Sequence, residues 1–369
     1  MKIKKIAAFA AVAAVAVTGA ALVAPAFAEP VSNSYVLVGS DTLQDSTNAL
    51  LNGTDASGSR VRVTSNSSTL GSFDAFGSAA IQTKPGGAYF GRPAGSGAGV
   101  NALRASITGN AYSAGGTNTT PARVITGQVD IARSSSGPGG NANADGKLLY
   151  YPYARDAVAY AYKGGTAAWA NLTPAQLKQI FDGTLTTVDG VAIKPRLPQA
   201  GSGTRNFFLA ALGYTGTTAP GVSDTGNATA ENDASVLGAG EIIPFSVASW
   251  VAQSNGVTGV STIGTTGVLI GSPVAGQVPF TGTGTNLVPN SAFYADTTFG
   301  RDTYLVVERA RVTPGDAKFD QGLADLVDAT KSQSLTNFGS LSSSPGAVKK
   351  KFGFLAPSST TPLPAYTTL

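Results

Sequence analysis

The chain has 369 residues, with 25 Lys and Arg against 21 Asp and Glu, and it contains neither cysteine nor histidine. The missing cysteine excludes disulfides, thiolate metal sites and a lipid-acceptor cysteine; the missing histidine excludes Ser-His-Asp triads and the commonest zinc sites. No G-x-S-x-G elbow occurs either, so a binding function moves ahead of an enzymatic one.

Residues 1–28 read as a secretory signal peptide. "MKIKK" is a basic n-region, "IAAFAAVAAVAVTGAALVAP" is an apolar h-region, and "AFA" ending at Ala28 is a small-x-small cleavage signal. Cleavage removes Lys2, Lys4 and Lys5, lowers the formal net charge from +4 to +1, and leaves about 341 residues, enough for two lobes with separate cores. The expected location is secreted, extracellular or periplasmic. So small a charge, with no basic stretch interleaved with aromatics, argues against nucleic acid as a partner. No later segment is apolar for long enough to span a bilayer.

Strand-like and helix-like runs then alternate, which predicts the α/β class. "NSYVLVGSDTLQDSTNALLNG" (33–53) reads as strand, Gly-Ser turn and helix, closed by Gly53. "GAGVNALRASITGN" (97–110) is a helix closed by Gly109, and "ITGQVDIARSSSGPGG" (125–140) is a strand end followed by a serine turn. "NLTPAQLKQIFDG" (171–183) carries a full start signal: Thr173 as N-cap, Pro174 at the first helical position, Gln176 at the third, and Gly183 to close it. Residues 255–290 alternate Val and Ile with Gly, Thr and Ser, which predicts a β-rich elaboration; residues 315–330 predict a late helix. The tail "APSSTTPLPAYTTL" is expected to be extended or disordered.

Four loops share one chemistry. Gly39-Ser40-Asp41-Thr42, Gly95-Ser96-Gly97 and Gly201-Ser202-Gly203-Thr204 each precede a helix, and Ser134-Ser135-Ser136 follows a strand. Each is either ordinary capping or part of an anion cradle, because helix N-termini offer unpaired N–H groups and hydroxyls add uncharged donors. Four together favour a ligand site.

The order of these motifs resembles the bacterial phosphate-binding proteins, the substrate-binding class that serves ATP-binding-cassette importers. The stretches that carry the resemblance are "VGSDTL", "AGSGAGVNAL", "GQVDIARSS", "NLTPAQLKQIFDG" and "QAGSGTRNFF". The resemblance implies a two-lobed, type II periplasmic-binding-protein-like fold, each lobe a sheet flanked by helices. Two hinge crossings would fall near 150–160 and 301–312. The first lobe would comprise 29–152 and 306–369, and the second 153–305. It further implies a monomer that binds phosphate or a related oxyanion and meets an ABC-type permease, with no cofactor, metal or catalytic residue. By resemblance the ligand residues are Thr42, Leu43 (through its backbone N–H), Ser96, Ser135, Ser202, Gly203 and Thr204.

Two positions depart from the family pattern and leave the anion open. Ser135 stands where the family commonly has Asp, and Pro198 where it usually has Arg. Arg133 either supplies the missing charge or forms a structural ion pair. Asp41 either caps its helix, in a capping box with Gln44, or accepts the ligand's proton. Elsewhere the plainer readings are preferred: Arg155-Asp156 as a local ion pair, Glu231-Asn232-Asp233 as a solvated helix start ahead of the alternative that it faces the cleft, Trp250 as core and Lys349-Lys350-Lys351 as a solvated patch. The alternatives to a solute-binding protein are an envelope or adhesion module that kept the fold without the ligand, and a phosphatase-like enzyme on the same cleft.

Overall fold

The computed structural model describes residues 35–65, 69–223, 229–264 and 267–369. The signal peptide expected over 1–28 lies outside them. In chain order the principal elements are β1 (Tyr35–Gly39), α1 (Gln44–Asn52), β2 (Leu70–Ser72), α2 (Ser96–Thr108), β3 (Ile131–Ser134), β4 (Leu148–Lys163), α3 (Pro174–Asp182) and β5 (Lys194–Pro195). They continue with α4 (Gly203–Ala211), β6 (Glu241–Ser246), α5 (Val247–Ser254), β7 (Val268–Gly271), β8 (Gly300–Glu308), α6 (Gln321–Val327), α7 (Pro345–Lys351) and β9 (Leu363–Ala365).

Local chemistry sets most helix ends. Thr173 accepts from Gln176 N while the Gln176 side chain returns to Thr173 N, Pro174 opens α3, and Gly183 closes it at φ 76°. Gly53 and Gly109 end α1 and α2 as expected. The start of α1 differs: Leu43 is its N-cap with no side-chain cap, and the Gln44 side chain accepts from Ala75 N at 2.8 Å. The Asp41–Gln44 capping box is therefore not formed, because Asp41 is engaged elsewhere. The late helix is shorter than expected, starting only at its cap Asp320, whose side chain accepts from Leu323 N. Among the described residues of 255–290 only β7 and one short pair, Phe280–Thr281 with Val288–Pro289, are strand, so the expected β-rich elaboration is mostly turns there.

Among the described residues nine strands form one mixed sheet in the order β5-β6-β4-β8-β3-β1-β2, with β7 and β9 also pairing β4. The chain is thus α/β, as its alternating pattern predicted. The 16-residue β4 organises the sheet. Its first part, Leu148–Ala157, runs antiparallel to all of β8, and its last part, Val158–Lys163, runs antiparallel to β6. Where Thr303 gives way to Tyr304 the β4–β8 register slips by one residue, with Pro152 on the partner strand unable to donate to the ladder.

Side chains alternate across both parts of this sheet. On β1, Leu37 joins a core with Leu50, Leu305 and Phe352, while Val36 and Val38 join another with Phe90, Leu103 and Val306. On β4, Val158, Tyr160 and Tyr162 pack under α3 and α4 residues Leu177, Phe181 and Phe208. Ala157, Ala159 and Ala161 face Phe245, Trp250 and Tyr294, which places Trp250 in the core. Each face is covered, so the period-2 pattern fixes register from both sides.

One expectation about the C-terminal region is corrected and another is narrowed to one of its alternatives. Lys349 is fully buried, its Nζ donating to Tyr153 O and Leu335 O and lying 4.3 Å from the Tyr153 ring centroid. Burial holds its ammonium well below the ordinary lysine pKa. The run 349–351 is the last turn of α7, and a helix turn sends one of three consecutive side chains inward. The Pro/Thr-rich tail also folds back: Leu363–Ala365 pairs with Leu148–Tyr150, and Ala365 is buried.

Candidate functional site

The parallel strands β1 and β3 end side by side, Gly39 opposite Arg133, and the loops from their carboxyl ends open toward one point. Gly39 has φ 114°, and a Cβ on Gly99 of α2 would lie 2.6 Å from Gly39 Cα. Paired glycines let α2 approach the β1 turn closely enough to bring Ser96, its first residue, beside Ser135. Ser135 N donates to Ser96 Oγ at 3.0 Å, and the two hydroxyls are 3.1 Å apart.

The Ser-Gly-Thr turn arrives from the other part of the sheet. Ser202 caps α4, its Oγ accepting from Arg205 N at 2.9 Å. Gly97 N donates to Gly201 O at 3.3 Å, so the two glycine loops touch. A Cβ on Gly203 would fall on the Ser135 and Ser96 hydroxyls; only glycine permits this contact. Thr204 Oγ1 then lies 3.5 Å from Thr42 Oγ1. Thr42, Ser96, Ser135, Ser202, Gly203 and Thr204 are all brought together and buried.

Glu231 occupies the centre of this cluster and is 1 % exposed. Its Oε2 accepts from Thr42 Oγ1 at 2.7 Å, from Ser40 Oγ and Thr204 Oγ1 at 3.3 Å, and from Ser135 Oγ at 3.5 Å. Its Oε1 accepts from Thr204 N at 3.3 Å, and its own N–H donates to Asp41 Oδ2 at 2.7 Å. The solvated helix start expected for 231–233 is thereby corrected. Asp41 is buried beside it, with Oδ1 lacking a partner among the described residues.

Charge is shared unequally between the two carboxyl groups. Burial, and then the Glu231 carboxylate, push the Asp41 carboxyl well above its usual range. Burial would also raise Glu231, but hydrogen bonds from Asp41, Thr42 and Ser202 together with the Arg301 charge hold it below the usual range.

Arg301 is the nearby cation. It lies opposite Asp156 in the β8–β4 register, Nη2 reaching Asp156 Oδ2 and Thr204 Oγ1, both at 2.8 Å, while its Nη1 is buried without a partner among the described residues. Arg155 pairs instead with Asp302 at 3.2 Å. Adjacent strand residues point to opposite faces, so the local Arg155-Asp156 pair is replaced by two cross-strand pairs.

Arg133 does not face the cluster. Its buried guanidinium donates to Ser40 O, Ser72 Oγ, Gly39 O and Phe73 O, which shapes the β1 loop from behind. Leu43 contributes its side chain to the core. Sequence reasoning missed Arg301 at this cluster and ranked a cleft-facing Glu231 second. The signal for Arg301 was its place on the expected second crossing; Glu231 offered only an acid in a glycine- and asparagine-rich loop. Among the described residues no acidic cluster could hold a metal ion, and no helix is long and apolar enough to cross a membrane.

Uncharged donors from several loops thus converge at one buried point between parts of a sheet joined by β4 and β8. The chain belongs to the PBP superfamily, whose domain matches residues 52–329. No curated protein matches the chain. Among solved structures it is similar to an ABC-type phosphate transport receptor from Vibrio cholerae, with 16% identity over 88% of this chain and 100% of that one and a TM-score of 0.48. It is also similar to a putative phosphate ABC transporter substrate-binding protein from Clostridium perfringens, with 12% identity, 79% and 92% coverage and a TM-score of 0.46.

Proposed function

We propose that the protein is an exported solute-binding protein that takes phosphate or a related oxyanion between two lobes and delivers it to an ABC-type permease. In this reading the lobes are 29–152 with 306–369, and 153–305, hinged on β4 and β8, and the protein works as a monomer after loss of residues 1–28. The observation that carries it is the convergence of hydroxyls from three loops, with the Thr204 amide, on a single buried oxyanion, the Glu231 carboxylate. A site that already holds an oxyanion in fully desolvated hydrogen bonds has the donor chemistry for phosphate, each charge-assisted bond contributing about 1.5–3 kcal/mol. The motif resemblance and the superfamily membership support the transport role. Titration calorimetry with phosphate, arsenate and sulfate tests it: one anion per chain is expected.

The same carboxylate favours a second reading, an envelope module that kept the fold and needs no external ligand. Failure of both the native chain and a Glu231 variant to bind any of the three anions would select it.

A further inference from the structure

The donors that the resemblance assigns to an external ligand are spent here on the chain's own side chain. Thr42, Ser135 and Thr204 all engage the Glu231 carboxylate. The main chain is committed as well, since Glu231 N bonds Asp41 across the cleft. Asn232 is anchored by Gln253 Nε2 at 2.8 Å and by Thr262 Oγ1 at 3.0 Å. Glu231 therefore connects the loops after β1 and β3 to the start of α4 without any other molecule.

We infer that Glu231 is a tethered internal ligand: it holds the cradle closed, and an external oxyanion binds by displacing its carboxylate. This rests on the binding reading above and adds how that site is regulated. A tethered group competes at an effective concentration in the millimolar range or higher, so it weakens the apparent affinity of every free anion by a common factor. The fit is incomplete, which gives the external ligand an advantage. A carboxylate has two oxygens, and around it Arg301 Nη1 is a buried donor with no partner among the described residues. A tetrahedral anion has further oxygens, and one of them can take the free Nη1 donor of the guanidinium.

Three versions of the chain test the inference: native, Glu231→Ala and Glu231→Gln, the last keeping the side-chain shape should the alanine variant fail to fold. Phosphate affinity is read by calorimetry, and the melting midpoint is read with and without sodium acetate. Removing the tethered carboxylate is expected to tighten phosphate binding by about tenfold or more. Acetate is expected to raise the midpoint of Glu231→Ala, by refilling the vacated cradle, and to leave the native midpoint unchanged. Equal or weaker phosphate binding by folded variants overturns the inference, while the phosphate reading stands if the native chain still binds. Acetate rescue without phosphate binding by any version upholds the internal ligand and overturns phosphate as its competitor. No response of either variant to either anion overturns both.

Discussion

Arg301 Nη2 bridges Asp156 Oδ2 and Thr204 Oγ1, 2.8 Å from each, and so links the two longest strands of the sheet to the first turn of α4. Asp156 has its own second set of contacts, accepting from Ser246 Oγ and Ala248 N at 3.0 Å where α5 begins. The side chains of this pair are 2 % and 0 % exposed. One ion pair therefore joins the strand crossings, two helix starts and the oxyanion cradle.

Removing one partner of such a pair leaves a buried charge uncompensated. Asp156→Ala is expected to cost about 3–5 kcal/mol in urea denaturation. The exposed pair Arg60–Asp55 supplies the contrast: Asp55→Ala should cost at most about 1 kcal/mol, because solvent screens it.

Gly203 separates steric fit from helix stability. Alanine favours the helical state of α4, yet its Cβ would collide with the Ser96 and Ser135 hydroxyls. Gly203→Ala should keep the melting midpoint within a few degrees while holding the cleft apart. Small-angle scattering should show a larger radius of gyration than the native chain, and phosphate affinity should fall by about tenfold or more.

Asp41 makes a pH prediction. Its folded pKa is raised, by burial first and then by Glu231, so the folded chain holds a proton that the unfolded chain releases above about pH 4. The stability this contributes is full below that pH and is lost as pH rises toward the raised value. Glu231 has the opposite sign, its contribution being lost only as pH falls through a value below the usual range. Asp45, raised to about 6 by burial and by Asp74, adds to the same loss on the alkaline side. Asp41→Asn retains an acceptor for Glu231 N–H and removes the titration. Its stability should fall less steeply than native between pH 5 and pH 8, as about half-unit steps of urea denaturation would show.

The tail offers a simpler check. Deleting residues 358–369 exposes the Leu148–Tyr150 edge of β4 and removes buried Ala365. A loss of about 2 kcal/mol or more is expected, together with faster cleavage by a non-specific protease. A disordered tail would be removed without effect on the midpoint.

The sequence by itself determined what lies within a few residues. The α3 capping box at Thr173 and Gln176, the closing glycines at 53, 109 and 183, and the four Gly/Ser loops were all legible, because caps and turns are short-range hydrogen bonding and backbone sterics. The alternation of strand-like and helix-like runs along the chain carried the α/β class. What only the tertiary structure decided is which distant group meets which. Thr42 and Glu231 are 189 positions apart, and Arg301 and Asp156 are 145 apart. Arg155-Asp156 looked like a pair and is not one, since strand neighbours face opposite ways. Arg133 looked like the cation of the site and instead braces a loop from behind. The charges were visible in the sequence, but a charge acts through the desolvated partner it faces, and that partner is chosen by packing.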